Sequence, residues 1–153
     1  MQDRFLKGAL VGVCAGLIML LVSLILSWLN LSDIQVLQIG AHIFVSSIEG
    51  AQLLGILLGL CVHTAFGALF GIAFQMVLWG FGKDHLFMKS IVFSIFVWLF
   101  AGVISNTLNL INHPSPNVKS ALSWLLSHLF YGLGLSVITL WLDRRAAAAH
   151  AGE

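Results

Sequence analysis

The sequence predicts an all-α, polytopic membrane protein, a bundle of four transmembrane helices with both termini cytoplasmic. Three observations carry that expectation. The chain is 59% hydrophobic and only 8% charged, against about 25% charged in ordinary soluble domains, so it cannot clothe a water-facing surface. Four segments are long enough to cross a hydrocarbon core, which takes about 20 residues, and none of them contains Asp, Glu, Lys or Arg. Glycines also recur at every fourth position, the small-xxx-small spacing that lets helices approach closely where lipid offers no hydrophobic drive to associate. With nothing long and polar left over, residues 1–153 read as a single integral-membrane domain.

The first span covers about 8–29 and opens with Gly8, Gly12 and Gly16. Arg4 and Lys7 precede it, as in a signal peptide, but its apolar core exceeds the usual 7–15 residues and no small-x-small cleavage site follows. It reads as a retained helix. In the linker at 31–50, Ile34, Leu37, Ala41, Phe44 and Ile48 recur at three- and four-residue steps. That spacing fits a short amphipathic helix on the outer membrane surface, and a loose external loop fits as well. The second span, about 52–79, carries Gly55, Gly59, His63, Gly67, Gly71 and then Gln75 on one line. A turn at 80–89 leads to the third span, about 90–111, whose end gathers the polar cluster Ser105, Asn106 and Asn109. Pro114 and Pro116 stop that helix, because proline cannot continue one. The fourth span, about 121–142, holds His128 and Gly132, and an Ala-rich run continues it beyond the membrane.

Charge gives the direction. Arg4, Lys7, Lys83, Lys89, Arg144 and Arg145 fall on one side of a four-span arrangement and Lys119 alone on the other, which places the basic side in the cytoplasm of a bacterial cell, in the inner membrane. Trp28, Trp79, Trp124 and Trp141 sit near span ends, where such rings anchor at the headgroups, while Trp98 is deeper. Cys14 and Cys61 read as buried free thiols that pack as small residues.

The chemistry narrows to two residues. His63 and His128 are ionisable groups at depth on helices that run the same way, and such groups mark candidate sites. They also head an internal echo: His63-Thr64-Ala65-Phe66-Gly67 against His128-Leu129-Phe130-Tyr131-Gly132. Each imidazole could bond a neighbouring helix, line a proton or substrate path, or ligate a haem between them. Two histidines do not complete a zinc site, which takes four ligands. The spans hold no acid, so no catalytic triad or carboxylate pair can form inside them, and neither a phosphate loop nor a zinc-protease helix is present. The formal net charge of +1 argues against nucleic acid as a partner. Asp33, Glu49 and Asp84 read as solvated loop charges.

The glycine-spaced first helix (Gly8, Gly12, Gly16), the glycine-stepped second helix, the Asn- and Pro-containing turn from Asn109 to Pro116, and Leu129-Phe130-Tyr131-Gly132 together resemble the small bacterial four-helix membrane proteins of the YqhR type. That resemblance implies no activity, no cofactor and no catalytic residue. The functional expectation is therefore a non-enzymatic membrane protein acting through helix–helix contacts as a structural or accessory subunit. Its glycine rows would serve a homo-oligomer, a membrane-protein partner, or packing inside its own bundle. The alternatives are a small transporter or channel with a path past His63 and His128, and a bis-His haem subunit for electron transfer.

Overall fold

Hydrocarbon offers the backbone no hydrogen-bond partners, so a chain this apolar must satisfy its own N–H and C=O groups inside helices. The computed structural model describes residues 4–45, 49, 52–108, 110 and 117–151. They form α1 (Arg4–Trp28), α2 (Val36–His42), α3 (Leu53–Phe81), α4 (Leu86–Thr107) and α5 (Val118–Ala151), with no strand among them. α1, α3, α4 and α5 are long and apolar enough to cross a membrane. Their bounds differ from the apolar windows because hydropathy sets a crossing length, whereas local propensity sets a helix length. Thus α4 takes in Lys89 and stops at Thr107, and α5 runs on through Asp143, Arg144 and the alanines.

Helix ends follow backbone chemistry. Asn30 adopts a left-handed φ of 56° and Leu31 N–H reaches back to the Leu26 carbonyl at 2.8 Å, the Schellman closure that asparagine tolerates better than most residues. Gly82, at φ 74°, ends α3, and Lys89 Nζ then donates to the Phe81 and Gly82 carbonyls at 2.7 and 3.1 Å.

Small residues decide which helices touch. α1 lies against α3 along Gly8, Gly12, Gly67 and Gly71. A Cβ built on Gly12 would overlap the Gly67 carbonyl oxygen and sit 2.7 Å from Gly71 Cα, and one on Gly8 would sit 2.8 Å from Ile72 Cα. α4 lies against α5 where a Cβ on Gly132 would meet Ser94 Oγ at 2.6 Å and the Ser90 carbonyl at 2.8 Å. Gly134 of α5 faces Ala15 of α1 at 3.1 Å. Ser90 and Ser94 turn their hydroxyls onto their own helix, bonding the Phe87 and Ile91 carbonyls at 2.8 Å each, so they act as small packing residues here. α3 and α4 follow each other in the chain yet barely touch. Phenylalanine rings span the seam: Phe74–Phe93 at 5.3 Å and Phe70–Phe100 at 6.1 Å between centroids.

The interior is built from Val11, Ala15, Met19, Phe74, Leu78, Trp124, Tyr131 and Leu135. The outer faces are equally apolar, as Leu54, Leu69 and Val92 exemplify, the pattern of helices whose surroundings are lipid. Two expectations are corrected here. Cys14 and Cys61 are free but exposed on the bundle's outside, since lipid accepts a thiol as readily as a core does. Trp124 is 9% exposed and belongs to the interior, unlike Trp28 at 82% and Trp79 at 74%.

Polar groups tie both ends. At the end bearing most of the basic residues, Asp143 of α5 pairs with Lys7 of α1 and with Lys83 at 2.7 Å. Arg4 lies over the Trp79 ring at 5.5 Å and Arg145 over Trp141 at 3.9 Å. Asp84, in the α3–α4 turn, is held below its usual pKa by its own backbone N–H and by Lys89 at 3.3 Å. At the opposite end Asp33 is exposed yet not a free loop charge. Its Oδ2 accepts from Asn117 Nδ2 at 3.1 Å, its N–H donates to Ser120 Oγ at 3.1 Å, and Ser123 Oγ donates to the Leu31 carbonyl at 2.6 Å. Asn117 also caps α5 through Oδ1 and the Ser120 N–H at 2.8 Å. The short helix expected in the linker is α2, and it is docked on α3: a Cβ on Gly59 would run into the Leu37 backbone, and one on Gly40 would lie 3.1 Å from the Gly59 carbonyl. Ile48 and the proline turn at 113–116 lie outside the described residues.

Candidate functional site

The glycines that bring α1 onto α3 and α5 onto α4 leave the α3–α4 seam wide, and a cavity of about 140 Å³ lies behind it. All five helices contribute walls. Gly16 and Met19 come from α1, His63, Phe66 and Phe70 from α3, Phe100, Ala101 and Ser105 from α4, and Trp124, His128 and Tyr131 from α5. Val36, Ile39 and Gly40 of α2 form its roof. Phe66 and Phe100, each 42% exposed, stand on either side of the seam and give the cavity an apolar mouth on the bundle's flank.

His63 and His128 therefore open onto one space. The residue facing each imidazole fixes its tautomer, because a carbonyl can only accept. His63 Nε2–H donates to the Gly16 carbonyl of α1 at 2.9 Å, and His128 Nδ1–H donates to the Trp124 carbonyl one turn earlier at 2.9 Å. The bond does not depend on the missing side chain at Gly16, since a Cβ there would stand 3.8 Å from Nε2, an ordinary contact. Trp124 packs edge-on against His128, with centroids 5.5 Å apart. Neither His63 Nδ1 nor His128 Nε2 has a partner among the described residues, and neither is a sealed orphan as His42 Nε2 and Trp98 Nε1 are. In a neutral ring each of those nitrogens carries a lone pair. Tyr131, 2% exposed, directs its hydroxyl toward the Gly67 carbonyl at 3.4 Å.

The echo in the two spans acquires a spatial meaning. His63 and His128 each present a ring to the cavity, while Gly67 and Gly132, four residues on, each admit a neighbouring helix. The aromatics diverge: Phe66 guards the mouth and Tyr131 is interior.

Other predicted residues separate. Ser105 is buried and lines the cavity, Asn106 is exposed, and Asn109 lies outside the described residues. Gly55 is buried on α3. Gln75 donates to Thr139 Oγ1 at 2.9 Å, nearer the basic end and outside the cavity lining. No group of three or more His, Cys, Asp or Glu side chains that could hold a metal occurs among the described residues. Sequence reasoning missed Trp124, Tyr131 and the α2 roof. A tryptophan four residues before a histidine on one helix is the signal that could have found the first.

Neither a curated protein nor a solved structure matches this chain. A family model described as a family of unknown function (DUF6789) matches residues 2–150, and the chain belongs to that family. Nothing in that match links it to the YqhR-type proteins.

Proposed function

We propose that this DUF6789 protein is a multi-pass protein of the bacterial inner membrane, both termini cytoplasmic and without enzymatic activity, which takes a lipophilic molecule from the bilayer into the cavity around His63 and His128. The observation that carries the reading is the convergence of two imidazoles and the Tyr131 and Ser105 hydroxyls on one mostly apolar space. Polar groups are expensive at membrane depth, and an apolar cavity with a few convergent polar groups is the usual form of a small-molecule site. The mouth between Phe66 and Phe100 faces outward from the bundle, which suits a ligand that arrives through lipid. The orientation rests on the basic end, where Lys7, Lys83 and Lys89 gather. Reporter fusions in the Lys83 and Lys119 loops should report opposite sides, and the same side for both would overturn it.

An accessory role by way of the glycine rows has less support. Gly12, Gly67, Gly71 and Gly132 are spent on contacts within the chain, so a partner would have to be met elsewhere. A haem between the two imidazoles is favoured by their two unprotonated nitrogens. Its propionates, however, would want cations, and Lys119 already donates to the Asn30 carbonyl. An absorption spectrum without a Soret band would end that alternative.

The direct test is native mass spectrometry of protein released from membranes. Wild-type protein should carry an adduct of defined mass, and Ala101→Phe, which fills the cavity beside the roomy seam, should lose it. Adduct-free wild type, or equal retention by both proteins, would refute the proposal.

A further inference from the structure

We infer that the cavity's occupant is an amphiphile with a hydrogen-donating head, a hydroxyl group on an apolar chain, rather than a ketone, ester or ether. The inference rests on the ligand-binding reading above and deepens it. It follows from where the protons are. Both imidazole N–H groups are spent on backbone carbonyls, His63 on Gly16 and His128 on Trp124, each at 2.9 Å. Tyr131 directs its only proton toward the Gly67 carbonyl. What these three side chains can still offer a guest is therefore lone pairs, Nδ1 of His63, Nε2 of His128 and the phenol oxygen, while the Ser105 hydroxyl on the α4 wall can donate or accept.

An acceptor-only head could pair with Ser105 but would set its lone pairs against both imidazole nitrogens and leave those two unmatched, which is costly. A hydroxyl head donates to one of them and is matched. An imidazolium would reverse this logic, but a charged ring inside the bundle is the expensive form. The rest of the cavity suits the chain of such a molecule. Its walls are Met19, Val62, Phe70, Val97 and Ile104, and Phe66 and Phe100 at the mouth let a chain longer than the cavity trail out into lipid. Hydroxyl heads of this kind occur both on single-chain alcohols and on diacylglycerols.

The test uses Trp124, which lines the cavity and touches His128, as reporter. In full-length protein with Trp28, Trp79, Trp98 and Trp141 changed to Phe, held in lipid nanodiscs, brominated probes quench the remaining fluorescence on contact. Four are compared: a bromoalkyl alcohol, a brominated diacylglycerol, and the O-methyl ether of each. Saturable quenching should favour at least one alcohol over its ether by about tenfold, the worth of one hydrogen bond, and the alcohol that wins identifies the source as single-chain or diacyl. His128→Leu and His63→Leu should each shrink that preference toward unity while the ethers' own binding holds. Alcohol and ether of equal affinity, both displaced by the Ala101→Phe filling, would overturn the donor-head inference and leave the cavity reading intact. Quenching by no probe, or quenching indifferent to Ala101→Phe, would overturn the cavity reading itself.

Discussion

Gly12→Ala should be among the most damaging single-methyl additions in this protein. The new Cβ would overlap the Gly67 carbonyl oxygen and sit 2.7 Å from Gly71 Cα and 2.8 Å from its nitrogen, against 3.4 Å for ordinary contact. All three obstacles are backbone, so no side chain can swing aside. The Gly67 oxygen is the nearest of them, so α1 and α3 must part by more than about 1 Å at that point, and a gap of that size forfeits about half of each contact's attraction along the interface. Overpacking of this kind costs about 1–3 kcal/mol, partly offset by the 0.5–1 kcal/mol that alanine gains over glycine in a helix. Gly16→Ala, one turn along, is the control. Its Cβ would find Gly67 Cα at 3.7 Å, so the propensity gain should survive and the variant should match or slightly exceed wild type. Gly80→Ala, with nothing within 4 Å, should behave likewise. The assay is reversible unfolding in mixed detergent micelles, followed by far-UV circular dichroism. If Gly12→Ala and Gly16→Ala unfold together, the argument that glycine backbone contacts hold α1 to α3 is wrong.

Three further outcomes follow from the same geometry. Gly59→Ala should push the Leu37 backbone away and undock α2, seen as faster maleimide labelling of a cysteine placed at Val36, while global stability falls by about 1 kcal/mol or less because α2 is a short peripheral piece. Gln75→Leu should cost about 0.6 kcal/mol, the typical worth of one interhelical hydrogen bond in a membrane, and Thr139→Val in the same background should cost little more. Asp84 titrates below its reference of 3.8. A depressed carboxyl adds stability that is complete above the unfolded value and is lost as pH falls through the folded one. Its small contribution should therefore be flat from neutral pH down to about 5 and vanish only in stronger acid. Asp84→Asn should remove that increment and leave the acid-side slope in melting temperature that Asp143 carries through Lys7 and Lys83.

What was legible in the sequence was whatever lipid forces on a chain. Four uncharged stretches of spanning length could only be helices, and their order gave α1, α3, α4 and α5. The parallel course of the second and fourth spans put His63 and His128 at related depth, and the structure brings both to one cavity. Which face of each helix points inward was harder to read. A helix bathed in hydrocarbon is apolar all round, so periodicity no longer separates core from surface. Cys14, exposed, and Trp124, interior, were misjudged for that reason. Small residues were the surviving signal: they pointed to the glycine rows that meet at Gly12 and Gly71, but not to Ser94 as the neighbour of Gly132. Asp33 was misread because its partners Asn117 and Ser120 are 84 and 87 residues away in the chain, and no local pattern announces such a staple. The docking of α2 depended on Gly59 facing a backbone that is not its helical neighbour, which is equally silent in one dimension.

The join between α3 and α4 has a mechanical consequence. Those two rods leave a four-residue bend, residues 82–85, and thereafter meet mostly through benzene rings. Beyond the Lys89 bonds to the Phe81 and Gly82 carbonyls at the turn, prising them apart trades only ring-on-ring attraction, about 0.5–1.5 kcal/mol per pair, for acyl tails of similar polarity. The α1–α3, α2–α3 and α4–α5 borders, by contrast, are locked along their length by small residues against backbone. Thermal motion should thus find this flank first, and a guest from the bilayer would enter where the wall yields most cheaply.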